Sequence, residues 1–118
     1  RHTRGAAGAL CEIDGAAATL RYAGVGNISG CLIGADRQRS LVSHNGTLGL
    51  SAPRFQDFSL PWTAQSLLIL HSDGLTTRWD LGTYSGLALR DPALIAAVLW
   101  RDFQRGRDDS TVLVAKGA

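Results

Sequence analysis

Ser66-Leu67-Leu68-Ile69-Leu70-His71-Ser72-Asp73-Gly74 is the stretch on which the fold turns. Its apolar residues run continuously, without helical spacing, and stop at an Asp-Gly pair, which reads as a buried strand that ends in a turn. Such a strand delivers Asp73 to the edge of its sheet. A second acidic site has the mirrored arrangement, because Arg107-Asp108-Asp109-Ser110 leads directly into the strand Thr111-Val112-Leu113-Val114. If the two strands are antiparallel neighbours, the end of the first lies beside the start of the second, and the carboxylates converge. Like charges held close are unfavourable unless a cation or proton neutralises them, so this arrangement invites a hard divalent metal. The same residues also read as an ordinary turn and a solvated loop, and spacing alone leaves both readings open.

Upstream, the apolar run 5–13, the turn pair Asp14-Gly15 and the alternating stretch 18–25 predict a hairpin, with Leu20, Tyr22 and Gly24 on one face. Gly30-Cys31-Leu32-Ile33-Gly34, a polar turn over 35–39 and Ser40-Leu41-Val42-Ser43 predict another, so the chain is expected to begin as an antiparallel meander. Residues 44–63, with Asn45-Gly46, Pro53 and Pro61, read as a long loop, a length usually tied to function. A helix is predicted from Asp91 to about Phe103: Asp91 is an N-cap, Pro92 takes the first turn, and Ile95, Val98, Leu99 and Phe103 form an apolar stripe. Gly106 supplies the stop.

Composition bounds the rest. A chain of 118 residues with 45% hydrophobic and 19% charged residues is a single globular domain, 1–118, rather than a disordered segment. No apolar run approaches a membrane span, and the N-terminus lacks a signal-peptide core, which predicts a cytoplasmic protein. Net charge is only +2 and no aromatic platform accompanies the arginines, which argues against nucleic acid as a partner. Cys11 and Cys31 stand apart, without CxxC spacing, and read as reduced, packed thiols. There is no methionine, even at position 1, so the chain reads as a segment of a longer one.

Two other chemistries fail on spacing. Gly24, Gly26 and Gly30 miss the GxGxxG pattern by one residue and are followed by Cys31-Leu32-Ile33, a strand rather than a phosphate-binding helix. Ser72 has no GxSxG surroundings, and its neighbour His71 points to the opposite face of a strand, so the two do not form a nucleophile and base.

Five segments together resemble the second half of the stage II sporulation protein E (SpoIIE)-type serine phosphatases, most of all the small RsbX-like members of stress-response sigma-factor switching, which belong to the metal-dependent (type 2C) protein phosphatases. They are Thr3-Arg4-Gly5-Ala6-Ala7; Leu20-Arg21-Tyr22-Ala23-Gly24-Val25-Gly26-Asn27; Ser43-His44-Asn45-Gly46-Thr47-Leu48-Gly49; His71-Ser72-Asp73-Gly74-Leu75; and 107–114, which carries Asp108-Asp109-Ser110-Thr111. The resemblance implies an α+β fold, an α-β-β-α sandwich with mostly antiparallel sheets. It implies Asp73 and Asp108 as ligands of Mn²⁺ or Mg²⁺, with Gly74 and Asp109 supporting them, and two cations in the complete domain. The implied reaction is hydrolysis of phosphoserine or phosphothreonine by a metal-activated water, on a regulatory protein of the anti-sigma-factor antagonist type.

The family's earlier segment, Asp-Gly-x-Gly-His-Gly in the small members, has no counterpart in these residues. The resemblance therefore implies the C-terminal portion of a phosphatase domain, inactive alone and prone to self-association through unpaired sheet edges. The alternative is a phosphatase-like module without activity that binds a signalling partner.

Overall fold

A computed structural model describes residues 8–35, 37–41, 58–106 and 110–117. The first hairpin forms as expected: β1 (Gly8–Asp14) and β2 (Thr19–Val25) pair antiparallel, with Asp14 opposite Thr19. Asp14 helps to build the turn, its Oδ1 accepting from the Ala17 amide at 3.1 Å. The second hairpin also forms, between β3 (Ile28–Ile33) and β4 (Gln38–Leu41), closed by a 2.7 Å bond from the Gly34 amide to the Arg37 carbonyl.

The expected meander does not continue between them. β2 and β3 belong to different sheets, and the chain crosses from one to the other at Gly26-Asn27, where Gly26 takes the left-handed φ of 90°. The long loop is also corrected in part: β5 (Phe58–Pro61) pairs with β2, and Pro61, which has no amide hydrogen, sits at its end. Residues 42–57, which take in the first part of that stretch and the Ser43 to Gly49 motif, lie outside the described residues, as does the Thr3 to Ala7 motif.

The decisive strand is β6 (Leu67–Ser72), and it pairs antiparallel with β3 on one side and with β7 (Val112–Lys116) on the other. The result is a three-stranded sheet, β1-β2-β5, stacked on a four-stranded sheet, β4-β3-β6-β7. α1 (Pro92–Phe103) covers the far face of the second sheet. Asp91 caps it, Oδ1 accepting from the Leu94 amide at 3.0 Å, and Ile95 and Leu99 are fully buried beneath it. Two short 3₁₀ turns, Leu81–Thr83 and Leu87–Leu89, which the periodicity does not foretell, complete this layer.

The apolar run of β6 now has a cause. Leu67 and Ile69 join Leu75, Leu81, Leu87, Ile95 and Leu99 in the helix-side core, whereas Leu68 joins Leu20, Tyr22, Leu32, Leu41 and Trp62 between the sheets. A strand sandwiched on both faces cannot alternate with polar residues. Each fully buried aliphatic side chain contributes about 1.5–3 kcal/mol, so β6, which feeds both cores, is the central strand of the fold. The architecture is α+β with antiparallel sheets, and sheet, sheet and helix are the layers seen among the described residues.

Candidate metal centre

Asp73 follows the last residue of β6 and is exposed. The antiparallel pairing of β6 with β7, with His71 opposite Val112, brings the entry of β7 beside it, as the strand-end argument requires. The ladder extends past the named strands: the Ser72 amide donates to the Thr111 carbonyl at 3.0 Å, and the Thr111 amide donates to the Ser72 hydroxyl at 3.0 Å.

The Gly74 carbonyl anchors the next segment. It accepts from the Arg105 amide at 2.7 Å and from the Ser110 hydroxyl at 3.2 Å. Residues on both sides of 107–109 are therefore held on the carbonyl of the residue immediately after Asp73. Asp108 and Asp109 themselves lie outside the described residues. The turn after Asp73 is further tied to the helix end, where the Thr76 amide donates to the Phe103 carbonyl at 3.0 Å and Leu75 bridges to Gln104.

Asp73 has a partner that sequence reading misses. The Asn27 side-chain amide, Nδ2, stands 3.4 Å from Asp73 Oδ2, across a separation of 46 residues. Asn27 arrives there because the crossing at Gly26-Asn27 leads straight into β3, whose first residue pairs with Ser72. The Gly-Asn pair after β2 was the available signal, but it reads as a turn. Asn27, Asp73, Ser72 and Thr111 line an open groove of about 430 Å³ that also exposes Leu70 and Leu113.

These donors suit a hard cation. Asp73 offers an exposed carboxylate that forms no ion pair among the described residues, and the groove beside it adds the Asn27 amide and the Ser72 and Thr111 hydroxyls; the His71 ring also lines the groove, but both its nitrogens are engaged, by the Ser72 carbonyl and the Trp79 indole. Among the described residues no three His, Cys, Asp or Glu side chains converge. The two rejected chemistries stay rejected in the geometry. The Gly24 to Gly30 stretch is the end of β2, the Gly26-Asn27 crossing and the start of β3, with no helix after it, and the Ser72 hydroxyl accepts from the Thr111 amide while His71 faces Trp79.

The sequence model of the Stage II sporulation protein E (SpoIIE) family matches residues 1–117, and the chain belongs to that family. No curated protein sequence matches it. Among solved structures it is similar to a chain described under "The bacterial stressosome: a modular system that has been adapted to control secondary messenger signaling", at 26% identity and TM-score 0.81, over 97% of this chain and 59% of that one. It shares its fold with RsbX in complex with magnesium, at 20% identity and TM-score 0.72, over 94% of this chain and 55% of RsbX. The same holds for the phosphatase domain of the cell fate determinant SpoIIE from Bacillus subtilis, presoaked with Mn, at 23% identity and TM-score 0.66, over 95% of this chain and 56% of that domain. The chain thus spans between 55% and 59% of the length of these structures.

Proposed function

We propose that this chain supplies the β6 and β7 side of the metal centre of a protein serine/threonine phosphatase, with Asp73 and Asp108 as ligands of a shared Mn²⁺ or Mg²⁺. One observation carries the reading: Arg105 and Ser110, which bracket Asp108 in sequence, are both bonded to the carbonyl of Gly74, the residue after Asp73. Family membership supports the reaction class. A divalent cation held there supplies Lewis-acid polarisation of a phosphoryl group and a water activated at neutral pH. The chain's own residues have other tasks. Gly74 keeps the two acidic segments together, Asn27 orients the Asp73 carboxylate, and Asp109 supports Asp108.

The substrate we propose is a phosphorylated regulatory protein of a partner-switching system, of the anti-sigma-factor antagonist type, in the cytoplasm. The similarity to a stressosome-associated chain supports it, as does the finding that among the described residues no helix is long and apolar enough to cross a membrane. Among the described residues no three His, Cys, Asp or Glu side chains converge, and we further propose that the 118 residues alone do not turn over substrate.

The test measures phosphate release from a phosphoserine peptide with Mn²⁺. A longer protein that adds an upstream Asp-Gly-x-Gly-His-Gly segment should show Mn²⁺-dependent turnover, abolished by Asp73→Asn and by Asp108→Asn. The 118-residue chain should match a Mn²⁺-and-buffer control. Turnover that survives both substitutions refutes the ligand assignment. A longer protein that binds a phosphoprotein without hydrolysing it establishes the binding-module alternative instead.

A further inference from the structure

His71 is a buried side chain for which the phosphatase reading has no task. It is 4% exposed, on the helix-side face of β6, two residues before Asp73. Both ring nitrogens are engaged: Nδ1 lies 2.9 Å from the Ser72 carbonyl oxygen, and Nε2 lies 3.1 Å from Trp79 Nε1. The two rings meet edge to face, with centroids 6.1 Å apart and planes at 72°.

An indole N–H can only donate, so His71 Nε2 is an acceptor. The ring proton then resides on Nδ1, which donates to the Ser72 carbonyl. That carbonyl belongs to the peptide group leading into Asp73, and it also accepts from the Leu75 amide in a longer bond of 3.3 Å. The imidazole therefore supplies the shorter of these two bonds holding the peptide plane from which the Asp73 side chain departs. Trp79 in turn is packed against the helix-side core, so its N–H is presented from a fixed position.

We infer that Trp79 and His71 are positioning residues for Asp73: the indole selects the Nδ1–H tautomer, and that tautomer sets the Ser72-Asp73 peptide for metal binding. The inference rests on the reading of Asp73 as a metal ligand. A histidine with a merely structural role would affect folding stability and leave the metal affinity of the folded protein unchanged.

The experiment measures the Mn²⁺ dissociation constant by electron paramagnetic resonance of free Mn²⁺. It uses the longer protein that carries the upstream segment. NMR of isotopically labelled histidine reads the tautomer of His71. Trp79→Phe keeps a ring and removes the N–H, His71→Leu removes both nitrogens, and His71→Asn restores a donor where Nδ1–H stands. The parent should show the Nδ1–H tautomer. Trp79→Phe should lose that preference, and it and His71→Leu should bind Mn²⁺ roughly tenfold or more weakly, the size of effect seen when groups that orient metal ligands are removed. His71→Asn should recover most of the affinity.

An Nε2–H tautomer in the parent overturns the inference. So does Mn²⁺ affinity within about twofold of the parent in folded Trp79→Phe, a comparison that stands even if His71→Leu fails to fold. Asp73→Asn separates the two levels. If it abolishes binding while Trp79→Phe leaves it intact, only the positioning role fails; if Asp73→Asn binds as the parent does, the metal-ligand reading fails and this inference with it.

Discussion

Gly30 stands in β3 between the two sheets, and a methyl group added there has nowhere to go. Its Cβ would lie 2.7 Å from Leu70 Cδ2 and 3.1 Å from both Cβ and Cδ1 of Leu41. Carbon atoms pack best at about 3.5–4.0 Å, so Leu70 must swing by about 1 Å and β4 must give at Leu41, whose Cβ is fixed to its backbone. Overpacking of this kind costs about 1–3 kcal/mol. Alanine also restricts the unfolded chain, which offsets about 0.4–1 kcal/mol. The net loss for Gly30→Ala is between about 0 and 2.6 kcal/mol, or up to about 10 °C in Tm for a domain of this size.

Gly15 is the internal control, because a Cβ there meets nothing within 4 Å, and Gly15→Ala should be neutral or slightly stabilising. Urea unfolding followed by the fluorescence of Trp62, Trp79 and Trp100 measures both. Leu70→Ala should partly rescue Gly30→Ala, with a coupling of about 0.5 kcal/mol or more in a double-mutant cycle. The packing account is refuted if Gly30→Ala is as stable as Gly15→Ala, or if the two substitutions at Gly30 and Leu70 are additive.

Three further predictions address the helix, the surface charge and the thiols. Asp91→Ala should cost about 1 kcal/mol by removing the cap of α1, and Asp91→Asn should retain most of the stability in the same denaturation assay. The Arg101 guanidinium, and then the Tyr84 hydroxyl, hydrogen-bond the Asp102 carboxylate and hold its pKa at about 2, below the usual carboxylate range. A depressed folded-state pKa gives stability present above about pH 4 and lost as the pH falls through 2. The stability difference between the parent and Asp102→Asn should therefore be flat near neutral pH and shrink from pH 4 to pH 2, and salt should reduce it because the pair is exposed. Burial raises the pKa of both Cys11 and Cys31, but Cys31 is 5% exposed and Cys11 half-buried, so a thiol reagent at pH 8 should label Cys11 first.

The elements whose signals are local were legible in the sequence. Asp91 and Pro92 announce a helix start within two residues, Asp14-Gly15 announces a hairpin, and the unbroken apolar run of β6 announces burial on both faces. The crossing at Gly26-Asn27 was not legible, because a glycine turn has the same local chemistry whether the next strand returns to its own sheet or enters another. β5 was hidden for a related reason: its four residues end in a proline and gain their identity only by pairing with β2. The candidate site divides along the same line. Asp73 at a strand end follows from one segment, but its contact with Asn27 spans 46 residues and depends on the crossing. The His71 to Trp79 bond depends on the path of the chain after the Asp73-Gly74 turn, where no periodic signal exists.

The central claim is that Asp73 and Asp108 hold one cation between them. Paramagnetic broadening of backbone amide resonances by substoichiometric Mn²⁺ in the 118-residue chain tests it directly. The account predicts that amides of residues 72–75 and 107–111 broaden first and together, and that Asp73→Asn alone removes the broadening at both segments. Broadening confined to one segment, or unchanged at 107–111 in Asp73→Asn, would contradict a shared site.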